Sequence, residues 1–294
     1  MEVYINGLFT VVLILGLILI YRKSDSCENL LFLKLLGYYL LGSFRFNLNK
    51  LAIPLGFILY LIFFKPKSNE RSKRSAALLG LLFFILGVSI PLVNKSLYEI
   101  PKQIKVDSVS INTIDFQEDW QLIKEKLEVN EDTRLEEFDL SYNADGTIKG
   151  LRLELISRKD KGFVHFFIDL SPDKKKYIIR PRKIEQWLQY DRLVTAERYF
   201  QYMSLLDLEA IRPSKPYEWY VVASRGEVVN YAIRDNNKFL VVSKDNLRKI
   251  SNDELPIKGF YISSYGMEEK SQSTDHTSYE SGERTDYFFD VTKN

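Results

Sequence analysis

One cysteine and two histidines in 294 residues leave little material for thiol or metal chemistry. Cys27 is the lone thiol, so the chain cannot close a disulfide on itself, and everything after residue 27 lacks a thiol nucleophile. A metal site needs several converging His, Cys or carboxylate ligands. His276 stands in a polar stretch, and His165 sits between Val164 and Phe166 in an apolar, strand-like run. His165 and Asp169 would share one strand face, four residues apart, too far to chelate an ion without further ligands. His165 therefore reads as an ordinary strand residue, and no metal, cofactor or catalytic residue is expected.

Catalytic signatures are missing as well. There is no G-x-S-x-G, no P-loop, no G-x-G-x-x-G and no H-E-x-x-H. Ser171 and Lys174 match the S-x-x-K pattern of serine enzymes that use a lysine base, but its S-D-N and K-T-G companions are absent. Pro172-Asp173 before three lysines reads instead as a turn between strands. A carboxylate pair for glycoside cleavage cannot be chosen by spacing alone.

What the chain does have is unevenly spread. Mean hydropathy is −0.17, yet residues 9–20 and 76–93 are long apolar runs with no charge. Residues 1–93 hold ten Lys or Arg against four acids, a net of +6, so the chain total of +2 leaves residues 94–294 at −4. Nucleic-acid binding needs clustered positive charge, and a slightly acidic soluble part argues against it.

Hydropathy and charge together predict four membrane spans, at about 3–21, 30–46, 48–64 and 76–93. Arg22 and Lys23 follow the first run, and Lys65, Lys67, Arg71, Lys73 and Arg74 lie in a basic loop at 65–75 before the last. Positive residues stay on the cytoplasmic side. That rule places residue 22 and the 65–75 loop inside, with the N-terminus and everything after Pro91 outside. A cleaved signal peptide fits poorly, because no basic region precedes the first run and no small-x-small site follows it.

Within these spans Lys34, Arg45 and Lys50 fall near predicted ends, where long side chains reach the headgroups. No Asp, Glu or His falls inside any span, which removes the usual groups for proton relay or cation transport. Pro54, just before Gly56, could interrupt the third span. Ala76 and Gly80, four residues apart, would let another helix approach the fourth.

A linker at 94–105 leads into an α+β domain at 106–264, long enough to bury its own core. Phe116, Trp120, Ile123 and Leu127 recur as one helix face, with Asp115 as its cap. Phe138, Leu140 and Tyr142, the Asp145-Gly146 turn, and Leu151, Leu153 and Leu155 form a β-hairpin. A third strand follows at 164–170, a second helix runs through Leu193, Ala196, Tyr199, Phe200 and Met203, and further strands cover 219–223 and 239–242. The order predicts helices packed on an antiparallel sheet, either as a tandem α-β-β repeat or as one continuous sheet. Residues 265–294 are polar and expected to be flexible, with the aromatics at 287–289 docking back as an edge strand.

The function this pattern favours is a multi-pass integral protein of a bacterial-type cell envelope. It would present an extracytoplasmic binding, sensing or regulatory domain, with the lipid bilayer and a protein partner as its contacts and no nucleic acid. Two alternatives belong to other classes. One is an accessory or pore-forming subunit of a transport complex, using Lys34, Arg45, Lys50 and Pro54. The other is an enzyme acting on envelope polymers through a carboxylate site. Oligomeric state is open.

Overall fold

The computed structural model describes residues 2–24, 28–49, 51–159, 162–234, 236–244, 246–272 and 277–290. Cys27, Lys50 and His276 lie outside them. The chain divides into two compact units, Met1–Leu97 and Tyr98–Asn294.

In the first unit, helix α1 covers Glu2–Arg22 and α2 covers Leu31–Ser43. Strands β1 (Phe46–Leu48) and β2 (Leu51–Ile53) form a small antiparallel hairpin, followed by α3 (Leu55–Phe63) and α4 (Glu70–Tyr98). This overturns the four-span expectation. A bilayer core about 30 Å thick needs roughly 20 helical residues. The 13 residues of α2 and the nine of α3 fall well short. Among the described residues only α4, with 29 residues, is long and apolar enough to cross, the stretch Gly7–Arg22 being one of the shorter apolar helices. The misreading has a local cause. Asn49 adopts a left-handed φ of 53° and turns the chain into the hairpin, and Pro54 then stands at the N-cap of α3 instead of kinking a span.

Close helix packing holds this unit together. Leu17, Leu31, Leu35 and Ala76 form its buried cluster. At Gly80 a Cβ would lie 2.2 Å from the Tyr39 carbonyl oxygen, and at Gly42 one would lie 2.1 Å from that of Ala77. The small residues of α4 thus admit the backbone of α2, an intramolecular use of the Ala76/Gly80 spacing. Lys34, expected to reach headgroups, instead donates to Glu28 at 2.7 Å. Glu28 also accepts from Lys73, Asn69 and Ser68. The Lys34 and Lys73 ammonium groups hold its carboxyl well below the usual carboxylate range.

The second unit carries α5 (Phe116–Leu127), α6 (Ala196–Met203) and one mixed sheet of 11 strands. Its strands are β3 (Lys102–Lys105), β4 (Arg134–Tyr142), β5 (Ile148–Lys159), β6 (Gly162–Ser171), β7 (Lys176–Ile184), β8 (Trp219–Ser224), β9 (Val229–Tyr231), β10 (Lys238–Ser243), β11 (Asn246–Lys249), β12 (Ile257–Gln272) and β13 (Thr277–Asp290). The spatial order is β11-β10-β13-β12-β8-β4-β5-β6-β7-β3, with β9 beside β12. A single continuous sheet therefore replaces the tandem repeat. All pairings are antiparallel except β10 with β13.

Helix α5 forms where the sequence predicts it. Asp115 accepts from the backbone N–H groups of Gln117 and Glu118, and Phe116, Trp120, Ile123 and Leu127 are buried. Together with Tyr199, Phe200 and Met203 of α6 they cover the face of the sheet built by Phe138, Leu140, Tyr142, Leu153, Phe166, Ile168, Phe260, Ile262 and Phe289. Trp120 is 1% exposed, stacks on Phe200 at 5.6 Å and donates its indole N–H to Glu197 at 3.0 Å.

The polar stretch expected to be flexible is instead the longest strand pair. β12 has 16 residues and β13 has 14, and β13 lies between β10 and β12 rather than at an edge. Backbone pairing holds a polar ribbon in place without a large apolar face. Its apolar end, Tyr287 to Phe289, enters the core and the opposite face alternately.

Candidate functional site

Strand periodicity gives the sheet a second face, opposite α5 and α6. Alternate residues of four neighbouring strands build its centre: Glu137, Asp139 and Ser141 from β4, Arg152 and Glu154 from β5, His165, Phe167 and Asp169 from β6, and Arg180 and Arg182 from β7. The register sets these side chains against one another. Glu137 lies opposite Glu154, Asp139 opposite Arg152, Arg152 opposite Asp169, and His165 opposite Arg182.

Two apolar clusters frame this centre. Ile156, Tyr190 and Leu193 pack with Phe163, Ile184 and Trp187 on one side, and Tyr231, Leu240, Ile250 and Phe288 pack on the other. The same face holds a depression of about 350 Å³ lined by Glu137, Asp139, Ser141, Gly150, Arg152 and Asp169.

The charges on this face are only partly compensated. Asp169 accepts from Arg152 at 3.2 Å and from Arg180. Glu154 meets the His165 ring at 2.9 Å. Burial, reinforced by Arg182, pushes His165 down to about 4, so the ring is neutral at pH 7 and donates its Nε2–H to the Glu154 carboxylate. Glu154 itself is pushed up by burial, then by Glu137. Asp139 is raised by burial first and by Glu137 next, against Arg152. Beside them Glu136 accepts from the Trp187 indole at 3.2 Å and is also raised by burial.

His165 and Asp169 thus share a strand face as the alternation implies, but each is engaged elsewhere, His165 by Glu154 and Asp169 by two arginines. Among the described residues no group of His, Cys, Asp or Glu converges as metal ligands would. Ser171 ends β6, and Pro172–Lys174 is a short 3-10 turn leading into β7. The S-x-x-K pattern belongs to a strand connection. Chemically the face offers fixed carboxylates, guanidinium groups and one neutral imidazole, a set suited to binding polar groups. The sequence reading singled out only His165 and Asp169 of this set. Its signal was the run of charged residues at every second position in β4 to β7, which register alone brings side by side.

Fold and face define an α+β domain with two helices on one side of a long mixed sheet and a charged, helix-free centre on the other, preceded by an apolar helix. An archaeal protein family matches residues 117–290, from α5 through β13, and the chain belongs to that family. Membership corrects the bacterial-type setting expected from the sequence. No curated protein and no solved structure matches the chain.

Proposed function

We propose that the chain is a membrane-anchored binding protein, in which α4 crosses the bilayer and the domain from Tyr98 onward stands on the extracytoplasmic side and engages a partner. The observation that carries this reading is α4 itself. Its 29 residues include the uncharged run 76–93, and its N-terminal turns hold Arg71, Lys73 and Arg74 with Lys65 and Lys67 just before. Basic residues at one end favour keeping that end in the cytoplasm. The folded domain follows almost at once, since β3 begins four residues after α4 ends.

Binding rather than catalysis follows from the same face of the sheet. Its imidazole is neutral and committed to Glu154, and Asp169 is saturated by arginines. Lys34, which a pore-forming role would have used, is tied to Glu28.

Extraction and labelling test the reading together. The protein should stay with membranes in alkaline carbonate. In intact cells an impermeant maleimide should label an Asp253→Cys variant, at an exposed turn, while Cys27 reacts only after lysis. Release by carbonate would end the anchor reading, and labelling of Cys27 in intact cells would reverse the orientation.

A further inference from the structure

The second unit is acidic as a whole: residues 94–294 sum to −4, and removing Lys95 leaves residues 98–294 at −5. One edge of its sheet has the opposite sign. Residues 172–185, which comprise β7 and its flanking turns, hold Lys174, Lys175, Lys176, Arg180, Arg182 and Lys183 against Asp173 and Glu185, a net of +4. The outermost strand β3 pairs with β7 and adds Lys102 and Lys105.

Few of these charges are used inside the protein. Arg180 is paired with Asp169, Lys176 donates to Gln103, and Lys183 lies over the Tyr98 ring at 4.5 Å. Lys102, Lys105, Lys174, Lys175 and Arg182 are exposed, and none has an ion-pair partner among the described residues.

The position of this edge along the chain says what it meets. Tyr98 is the last residue of α4 and Lys102 the first of β3. The three intervening residues can reach no more than about 10 to 14 Å when extended. Lys183, at the end of β7, touches Tyr98 itself. The basic edge is therefore tethered within a short chain length of the point where α4 ends. Clustered Lys and Arg next to a membrane helix are attracted to anionic headgroups over about a Debye length.

We infer that the β3–β7 edge is a docking surface for anionic lipid headgroups of the same membrane that α4 crosses, holding the domain against the bilayer while its charged sheet face binds the partner. The inference rests on the reading that α4 spans the membrane. A purely protective role for the lysines, keeping an open sheet edge from pairing with another strand, would need no lipid of either charge.

Full-length protein reconstituted into nanodiscs of phosphatidylcholine, with or without phosphatidylglycerol, separates these cases by amide hydrogen exchange of residues 99–106 and 172–185. Slower exchange of both segments in the anionic discs is expected, together with loss of that protection at high salt. The same loss is expected when Lys102, Lys105, Lys174 and Lys175 are all replaced by Gln, with the exchange of α5 unchanged. Equal exchange in the two lipids, with the protein incorporated, overturns the docking surface and leaves the anchor intact. Protection by an added acidic peptide or RNA in neutral discs, without any effect of phosphatidylglycerol, overturns the lipid assignment. Failure of the chain to incorporate into either disc defeats the spanning reading, and the docking surface with it.

Discussion

At the scale of single residues, Trp120 and Asp119 sit side by side on α5 with opposite consequences. The Trp120 ring fills the space between α5, α6 and the sheet and donates to Glu197. Trp120→Ala removes a large aromatic contact and leaves a cavity, so chemical denaturation should show a loss of about 3 to 5 kcal/mol. Asp119 accepts from the Tyr177 hydroxyl at 2.6 Å, yet burial raises it to about 6 against that hydrogen bond. A carboxyl whose folded value lies above its unfolded value of 3.8 stabilises the fold at low pH and loses that contribution as pH rises through the folded value. Asp119→Asn keeps an acceptor for Tyr177 and removes the charge. Wild type and variant should melt alike near pH 4, and by pH 7 the variant should be the more stable by about 2 kcal/mol. His165 works the other way. Its folded value lies below 6.5, so its contribution is complete above the unfolded value and fades as pH falls from about 6.5 to about 4. Removing it with His165→Gln should flatten the acid side of the stability profile, which a series of melts between pH 4 and 7 would show.

At the scale of elements, the long β12–β13 ribbon depends on two glycines. The Tyr217 ring lies across Gly266 and Gly282, where an added Cβ would come within 2.0 and 2.3 Å of ring or hydroxyl atoms. The Tyr217 hydroxyl also accepts the Glu283 N–H at 3.0 Å. Gly266→Ala should displace the ring and destabilise the domain by about 1 to 3 kcal/mol. The double variant with Tyr217→Ala should recover part of that loss, a coupling that a double-mutant cycle measures. This ribbon was hidden in the sequence because Glu, Ser, Thr and Lys dominate it, and its support is backbone pairing with distant strands plus the Tyr217 and Trp219 rings. By contrast α5 and the β4–β5 hairpin were legible, since a cap, a helical face and an Asp145-Gly146 turn are all local. β7 was missed although Tyr177 and Ile179 alternate inward, because its lysines, arginines and Pro181 masked the period. In the first unit hydropathy and the charge rule together counted four crossings, where Asn49 and Pro54 divide the middle of the run into a hairpin and a nine-residue helix. Of the charged sheet face, residue types were visible but their neighbours were not, for cross-strand register has no local signature.

At the scale of the whole molecule, the unit from Tyr98 onward has its own core of two helices on one sheet and contains no cysteine with which to close a disulfide. Residues 98–294 expressed alone should be soluble and unfold in one cooperative transition, the same by fluorescence and circular dichroism. Divergent transitions would mean that the core borrows support from the rest of the chain. Strand order adds a constraint on how that core is reached. Among the described residues β13 is the last strand in chain order, lies in the interior of the sheet, and is the strand through which β10–β11 pair with the remainder. While residues 277–290 are still inside the ribosome or the translocation channel, β10 has no neighbour except β11, and Phe260 lacks the Phe289 ring that stacks on it at 5.0 Å. A nascent chain can thus build α5 and the β4–β7 meander early, but it cannot close the sheet until synthesis has passed Asp290. A stop codon before the codons for residues 277–290 would accordingly yield products with an open β12 edge, substrates for degradation rather than shortened functional proteins.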